Sequence, residues 1–125
     1  MIIIKPTMKL PKIRGGTMYQ YKEKYTIDFS EVQHYLEMHH IIRQALDWPD
    51  YYGCNWDAFW DCLTDMLGHP IHIEIIGLEV IKQKFGNTAE KMLDILKEFK
   101  HCDNDEFSNE IIIDIVLGNN IISLN

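Results

Sequence analysis

Apolar residues recur along this chain with two alternating periods. Leu36, Met38, Ile41, Ile42, Ala45 and Leu46 fall at helical spacing and predict a first helix from Leu36 to Leu46, broken by Trp48-Pro49 into a structured loop that runs to Gly53. A second is predicted from an Asn55 N-cap to about Met66, ended by Gly68 and Pro70. A short third helix is expected over Leu78–Phe85, closed by Gly86. Met92, Leu93, Ile95, Leu96 and Phe99 mark a fourth, running from Thr88 to Lys100. Between these lie strand patterns. Residues 24–28 alternate around Tyr25 and Ile27, Ile71–Ile76 is a β-branched run bounded by Pro70 and Gly77, and Ile111–Leu117 is a third. Gly118-Asn119-Asn120 is placed to turn the chain into a last short strand at Ile121-Ile122. Strands separated by helices predict an α/β domain built on a small three-stranded parallel sheet with about four helices and right-handed crossovers.

The segments outside that pattern differ in character. Residues 1–22 hold five bases, no acid, two prolines and the pair Gly15-Gly16, so a basic arm or a small hairpin is expected there. The domain proper is read as 23–117, with a C-terminal extension at 118–125. The apolar run at the N-terminus is four residues long and stopped by Lys5 and Pro6, too short for a signal peptide or membrane span. Cys54, Cys62 and Cys102 form an odd count without CxxC spacing, which favours free thiols and a reducing cytoplasm over a disulfide framework.

Charge changes the picture. The 125 residues carry 19 acids against 12 Lys and Arg, a net −7 that disfavours direct nucleic-acid binding. Between Gln44 and Ile81 there is no Lys or Arg, only Asp47, Asp50, Asp57, Asp61, Asp65, Glu74 and Glu79. Those are 7 of the 19 acids, so the rest of the chain balances at 12 against 12 and the net charge resides in this block.

On the second helix, at roughly 100° per residue, Trp60, Asp61, Thr64 and Asp65 lie within about 80° of Asp57. Phe59, Cys62, Leu63 and Met66 lie opposite, with Trp56 at the border. One face is therefore apolar, and the other holds three aspartates at i, i+4 and i+8 beside an indole. Like charges at that spacing destabilise a helix by a few tenths of a kcal/mol per pair. An ordinary solvated face accounts for acids, but not for this unrelieved repulsion beside an exposed tryptophan. The pattern points to an absent cation, either a metal or a basic partner surface.

Other chemistries fit less well. Asp57 and Asp61 could share a metal, but His69, His72 and Glu74 supply two converging ligands at most, so no metal or cofactor is expected. His39-His40 reads as a helix histidine with a satisfied hydrogen bond before it reads as a proton shuttle. No GxSxG, P-loop or dinucleotide turn is present. Acid–base catalysis by paired carboxylates needs a cleft that three aspartates on a convex helix do not provide. A binding module for a basic surface is favoured over an enzyme.

The stretch Trp48-Pro49-Asp50-Tyr51-Tyr52-Gly53-Cys54-Asn55-Trp56-Asp57-Ala58-Phe59-Trp60-Asp61-Cys62-Leu63-Thr64 resembles the signature of the barstar family, intracellular inhibitors of secreted barnase-type ribonucleases. The resemblance runs from about Glu23 to Lys100 and resumes at the last long strand, after a His101–Asn109 loop longer than the family's. It implies a three-stranded parallel sheet with helices around it, and stoichiometric plugging of a ribonuclease active site without catalysis. It implies that Asp61 enters the enzyme's phosphate pocket and that Asp57 pairs a second base on the guanine-site side. Trp60 and Tyr51 would supply contact area and Thr64 a hydrogen bond. Gly53 and Asn55 would shape the loop, and Glu98 would meet a cation at the rim. The expected partner is a cognate ribonuclease or ribonuclease toxin domain, bound one-to-one, with no membrane involved. A basic partner that is not a nuclease is the alternative.

Four positions depart from the family pattern. Asp65 stands for a glycine, Met66 for an enzyme-contacting aromatic, Cys54 for an acid, and Cys102 falls near another acid. They leave the acidic centre intact and change the rim, which implies a target ribonuclease different from barnase. That target is either a housekeeping secreted enzyme or a toxin for which this chain is the immunity protein.

Overall fold

The computed structural model describes residues 13–14, 17–18, 22–50, 52–67, 69–101 and 111–124. The chain runs β1 (Ile13–Arg14), β2 (Thr17–Met18), β3 (Tyr25–Asp28), α1 (Tyr35–Ala45), α2 (Trp56–Thr64), β4 (Ile71–Ile76), α3 (Leu78–Phe85), α4 (Thr88–His101), β5 (Ile111–Leu117) and β6 (Asn120–Ser123). β1 and β2 form a two-stranded antiparallel ladder, pairing Ile13 with Met18 and Arg14 with Thr17.

The main sheet has the order β3-β4-β5-β6. β3 pairs parallel with β4, Tyr25 opposite Ile73, and β4 pairs parallel with β5, Ile71 opposite Ile111. The expectation of three strands is corrected here. β6 adds a fourth strand, antiparallel to β5, with Leu117 opposite Asn120 and Asp114 opposite Ser123. Gly118 takes φ +61° at the first position of the two-residue loop, the positive φ that a tight hairpin turn requires. The strand is then fastened at its end: the Leu124 amide donates to Ile113 O at 2.7 Å, Lys100 Nζ donates to Leu124 O at 2.7 Å, and the Leu124 side chain is buried. Those bonds, rather than the apolar pattern of the tail, place the segment in the sheet.

Alternation decides which sheet face is covered. Tyr25, Ile27, Ile71, Ile73, Ile75, Ile111, Ile113 and Ile115 are buried, and they meet the helices in one core with Met38, Ile42, Phe59, Leu63, Met92, Leu96 and Phe99. α1 packs on β3, α4 on β5 and on α2, and α3 on α4 and β5. The other face is polar in its middle row. Asp114 accepts hydrogen bonds from Ser123 Oγ at 2.7 Å and pairs with His72 Nε2 at 2.8 Å. The Ser123 bond, followed by His72, holds the Asp114 carboxyl below the usual carboxylate range.

One close approach governs the joint between β4 and α3. Gly77 adopts φ +81°, and a β-carbon there would lie 2.6 Å from Ser30 N and 2.9 Å from Phe29 C. The backbone leaving β3 and the backbone leaving β4 touch at this point, tied by Phe29 N–H donating to Ile76 O at 2.8 Å. Among the described residues no helix is long and apolar enough to cross a membrane.

Candidate binding face on the second helix

α1 ends before the proline that the sequence marks as its stop. Its last turn closes with Trp48 N–H donating to Arg43 O at 2.9 Å and Asp47 N–H to Gln44 O at 3.3 Å. Asp47 itself sits at φ +57°. This is the Schellman pattern with an aspartate in the position that glycine usually takes. The chain then passes through the loop to Cys54, again at positive φ (+53°), before α2 begins.

Asn55 starts the helix through its side chain. Its Oδ1 accepts from Ala58 N–H at 2.8 Å and its Nδ2 donates to Gly53 O at 3.1 Å, so one amide both caps α2 and fixes the residue before the turn. α2 runs two residues shorter than predicted. Met66 N–H and Leu67 N–H bond to Leu63 O and Thr64 O instead of continuing the i→i−4 ladder.

Phe59, Cys62 and Leu63 are buried, as the wheel requires, and so is Met66. Met66 is thereby removed from any partner surface. Asp57 and Asp61 are exposed, and Trp60, Thr64 and Asp65 are half-buried beside them. Gly53 and Asn55 are exposed at the helix start. Thr64 Oγ1 donates to Asp61 O at 3.0 Å, which holds that hydroxyl close to the helix backbone. Glu98 is exposed on α4, the helix packed against α2. Tyr51 lies outside the described residues, as do Cys102 and most of the His101–Asn109 loop. Cys54 is a free thiol.

The electrostatics of α2 are asymmetric. Asp57 in the first turn complements the positive end of the helix dipole, whereas Asp65 caps the negative end, and the last turn has no base. Asp57, Asp61 and Asp65 thus form one acidic strip whose lower end opposes its own helix. The alternative ligands go elsewhere: His72 to Asp114, and Glu74 to Thr26 Oγ1 at 3.4 Å and Lys24 Nζ at 3.7 Å. Among the described residues no three His, Cys, Asp or Glu side chains are grouped to hold a metal.

Sequence reasoning did not reach the support beneath this strip. His39, fully buried on α1, shares a hydrogen bond through Nδ1 with Tyr52 Oη at 2.7 Å. Its ring lies 4.8 Å from Trp56 and 5.3 Å from Tyr35, centroid to centroid. The expectation of a satisfied histidine is half met, since Nε2 is buried without a hydrogen-bond partner among the described residues. Burial, with a smaller contribution from His40, pushes the His39 pKa down to about 4, and burial raises that of Tyr52. The adjacent tyrosines of the signature were the available signal, but spacing alone does not say which of two neighbours turns inward.

His39 therefore binds a proton more readily in the unfolded chain, where its pKa is near 6.5, than in the fold. Its contribution to stability is complete above pH 6.5 and is lost as pH falls through 6.5 towards 4. At pH 5 the loss relative to pH 8 is expected to be on the order of 2 kcal/mol. Urea titrations at the two pH values check this, with His39→Leu as reference. The variant should lose less stability on acidification than the parent, and equal losses would remove His39 as the cause.

Two comparisons bear on this chain. The family model described as Barstar (barnase inhibitor) matches residues 23–114. A protein of Bacillus subtilis (strain 168) named "Putative ribonuclease inhibitor YrdF" is 34% identical over 91 residues, which are 73% of this chain and 98% of that protein.

Proposed function

The chain belongs to the barstar family, and from that membership we propose that it inhibits a basic ribonuclease by laying the acidic strip of α2 into the enzyme's active site. The observation that carries the reading is the pairing of exposed Asp57 and Asp61 on one helix face, in a block of 38 residues without Lys or Arg. Carboxylates on a rigid helix compete with RNA phosphates for a site built of cations, and charge-assisted bonds to Arg are the strong ones. Asp61 occupies the phosphate pocket and Asp57 pairs a base beside it. Trp60 and Tyr51 add contact area, Thr64 a hydrogen bond, and Glu98 and Asp65 meet cations at the rim. Gly53 and Asn55 set the turn that presents the helix.

The partner is a cognate ribonuclease or ribonuclease toxin domain, bound one-to-one in the cytoplasm. The altered rim at Cys54 and Asp65 supports a target other than barnase itself. Titrating the purified chain against barnase and against any ribonuclease encoded beside its gene tests the reading. RNA cleavage should be blocked at one-to-one stoichiometry by at least one of them. Recovery of a basic non-nuclease as the sole tight partner would count against it.

Salt supplies a second check. With a −7 chain whose net charge resides in the block from Gln44 to Ile81 that contains the α2 strip, association should be steered electrostatically. The association rate is expected to fall at least about tenfold as ionic strength rises from roughly 0.01 to 0.5 M, with the dissociation rate changing less. A salt-independent association rate, measured by stopped flow, contradicts an interface centred on charge.

A further inference from the structure

We propose that His39 and Tyr52 are positioning residues of the binding face: their buried hydrogen bond holds Tyr52 and, through it, Gly53 and the Asn55 cap against α1, and so sets the aim of α2. The inference rests on the reading of α2 as the inhibitory face.

The loop needs such a device. It has residues with side chains in the left-handed region near both ends, Asp47 at φ +57° and Cys54 at φ +53°. Such conformations persist where the surroundings over-determine them. One tie at the loop's outer side is weak. Arg43 Nη1 reaches Asp50 Oδ1 at 3.0 Å, but the Asp50 side chain is 99% exposed, and exposed ion pairs contribute little. The tie from His39 to Tyr52 is of another kind. Both side chains are buried, the bond is 2.7 Å, and Tyr52 immediately precedes Gly53 and the Asn55 cap. The His39 ring also lies against Trp56, the first residue of α2. One side chain of α1 therefore touches both the end of the loop and the start of the helix.

The energetics argue against simple core filling. A buried histidine with one nitrogen unpartnered among the described residues is a costly way to occupy space, and an apolar side chain of similar size would avoid that cost. A directional bond fixes where Tyr52 sits, which apolar packing does less sharply. A face ordered before it meets its partner loses less freedom on binding, and the gain falls mostly in the dissociation rate.

The test uses the full chain with His39→Leu, Tyr52→Phe, the double variant, and His39→Asn, which returns a polar atom near the place of Nδ1. In the free protein, the Tyr52 and Ala58 amides, bonded to Pro49 O and Asn55 Oδ1, should exchange about tenfold faster in each of the first two variants. Sheet amides such as Ile113 should be unaffected, the double variant should add nothing, and His39→Asn should restore protection. Against whichever of barnase and the ribonuclease encoded beside its gene the parent chain inhibits, the single variants should dissociate about tenfold faster, while the thermal midpoint of the double variant, which leaves neither buried partner orphaned, stays level or rises. A merely structural role predicts the opposite pattern, with exchange faster throughout and binding lost only in step with stability. That result, no change at all, or additive effects in the double variant would overturn the proposal. If the parent chain binds neither barnase nor another ribonuclease, the reading of the face fails, and the exchange pattern still decides whether His39 and Tyr52 hold the loop.

Discussion

Replacing Asp61 with alanine is expected to weaken ribonuclease binding by roughly 30-fold to several thousand-fold while leaving the fold as stable as before. The range corresponds to about 2–5 kcal/mol for truncating one partner of a desolvated charge pair, a scale set partly on the barnase–barstar complex itself. The size follows from position. Asp61 is exposed at the middle of α2, flanked at i−4 and i+4 by Asp57 and Asp65, so a partner that covers the strip desolvates Asp61 most completely. Removing it leaves the enzyme's cations buried and unpaired, and much of the loss comes from there. Stability should move the other way if at all, because two like-charge contacts on the helix are relieved at a few tenths of a kcal/mol each. The measurement is the inhibition constant in an RNA-cleavage assay beside a urea titration. Unchanged inhibition sinks the assignment of Asp61, and a parallel fall in stability would attribute the effect to folding instead.

Gly77→Ala is expected to produce a large loss of stability, about 2–5 kcal/mol, at the joint between β4 and α3. Two costs combine. A left-handed φ of +81° is unfavourable by about 1–2 kcal/mol for a residue with a β-carbon. That carbon would also sit 2.6 Å from Ser30 N and 2.9 Å from Phe29 C, both backbone atoms at the exit of β3. Backbone cannot swing aside as a flexible side chain does, and overpacking of this kind adds about 1–3 kcal/mol. Against a typical domain stability of about 5–15 kcal/mol, the variant lies near the edge of folding. Gly118→Ala separates the two costs: it shares a positive φ, +61°, but its β-carbon would meet nothing within 4 Å. It should lose only the conformational part. Equal losses at the two glycines would show that the contact with β3 contributes nothing.

The sequence carried the secondary structure far because its periods are clean. Ile71–Ile76 and Ile111–Leu117 are bounded runs, and α3 and α4 begin where their patterns begin, with α4 ending one residue late. The acidic strip was legible for the same reason: a helix converts the spacing of Asp57, Asp61 and Asp65 into one face before any tertiary contact is known. The family signature overlaps that strip. β6 was harder to place. Gly118 signalled a turn, yet whether Ile121-Ile122 would join the sheet depended on Lys100 reaching Leu124 O and on Leu124 entering the core. At the end of α1 the sequence marks Pro49 as the stop, but Asp47 in the left-handed region closes the helix ahead of it.

What the sequence determined by itself is periodic or compositional: the order of helices and strands, the concentration of charge between Gln44 and Ile81, and the face on which three aspartates fall. Local spacing fixes such properties, because neighbours in the chain remain neighbours in space. What only the tertiary structure decided are the meetings of distant positions. His39 and Tyr52 lie 13 residues apart and share one buried hydrogen bond. Gly77 must lack a side chain because residues 29 and 30 pass beside it. Each depends on how packed elements close on one another, and burial and directional bonding set that closure only when the whole core forms.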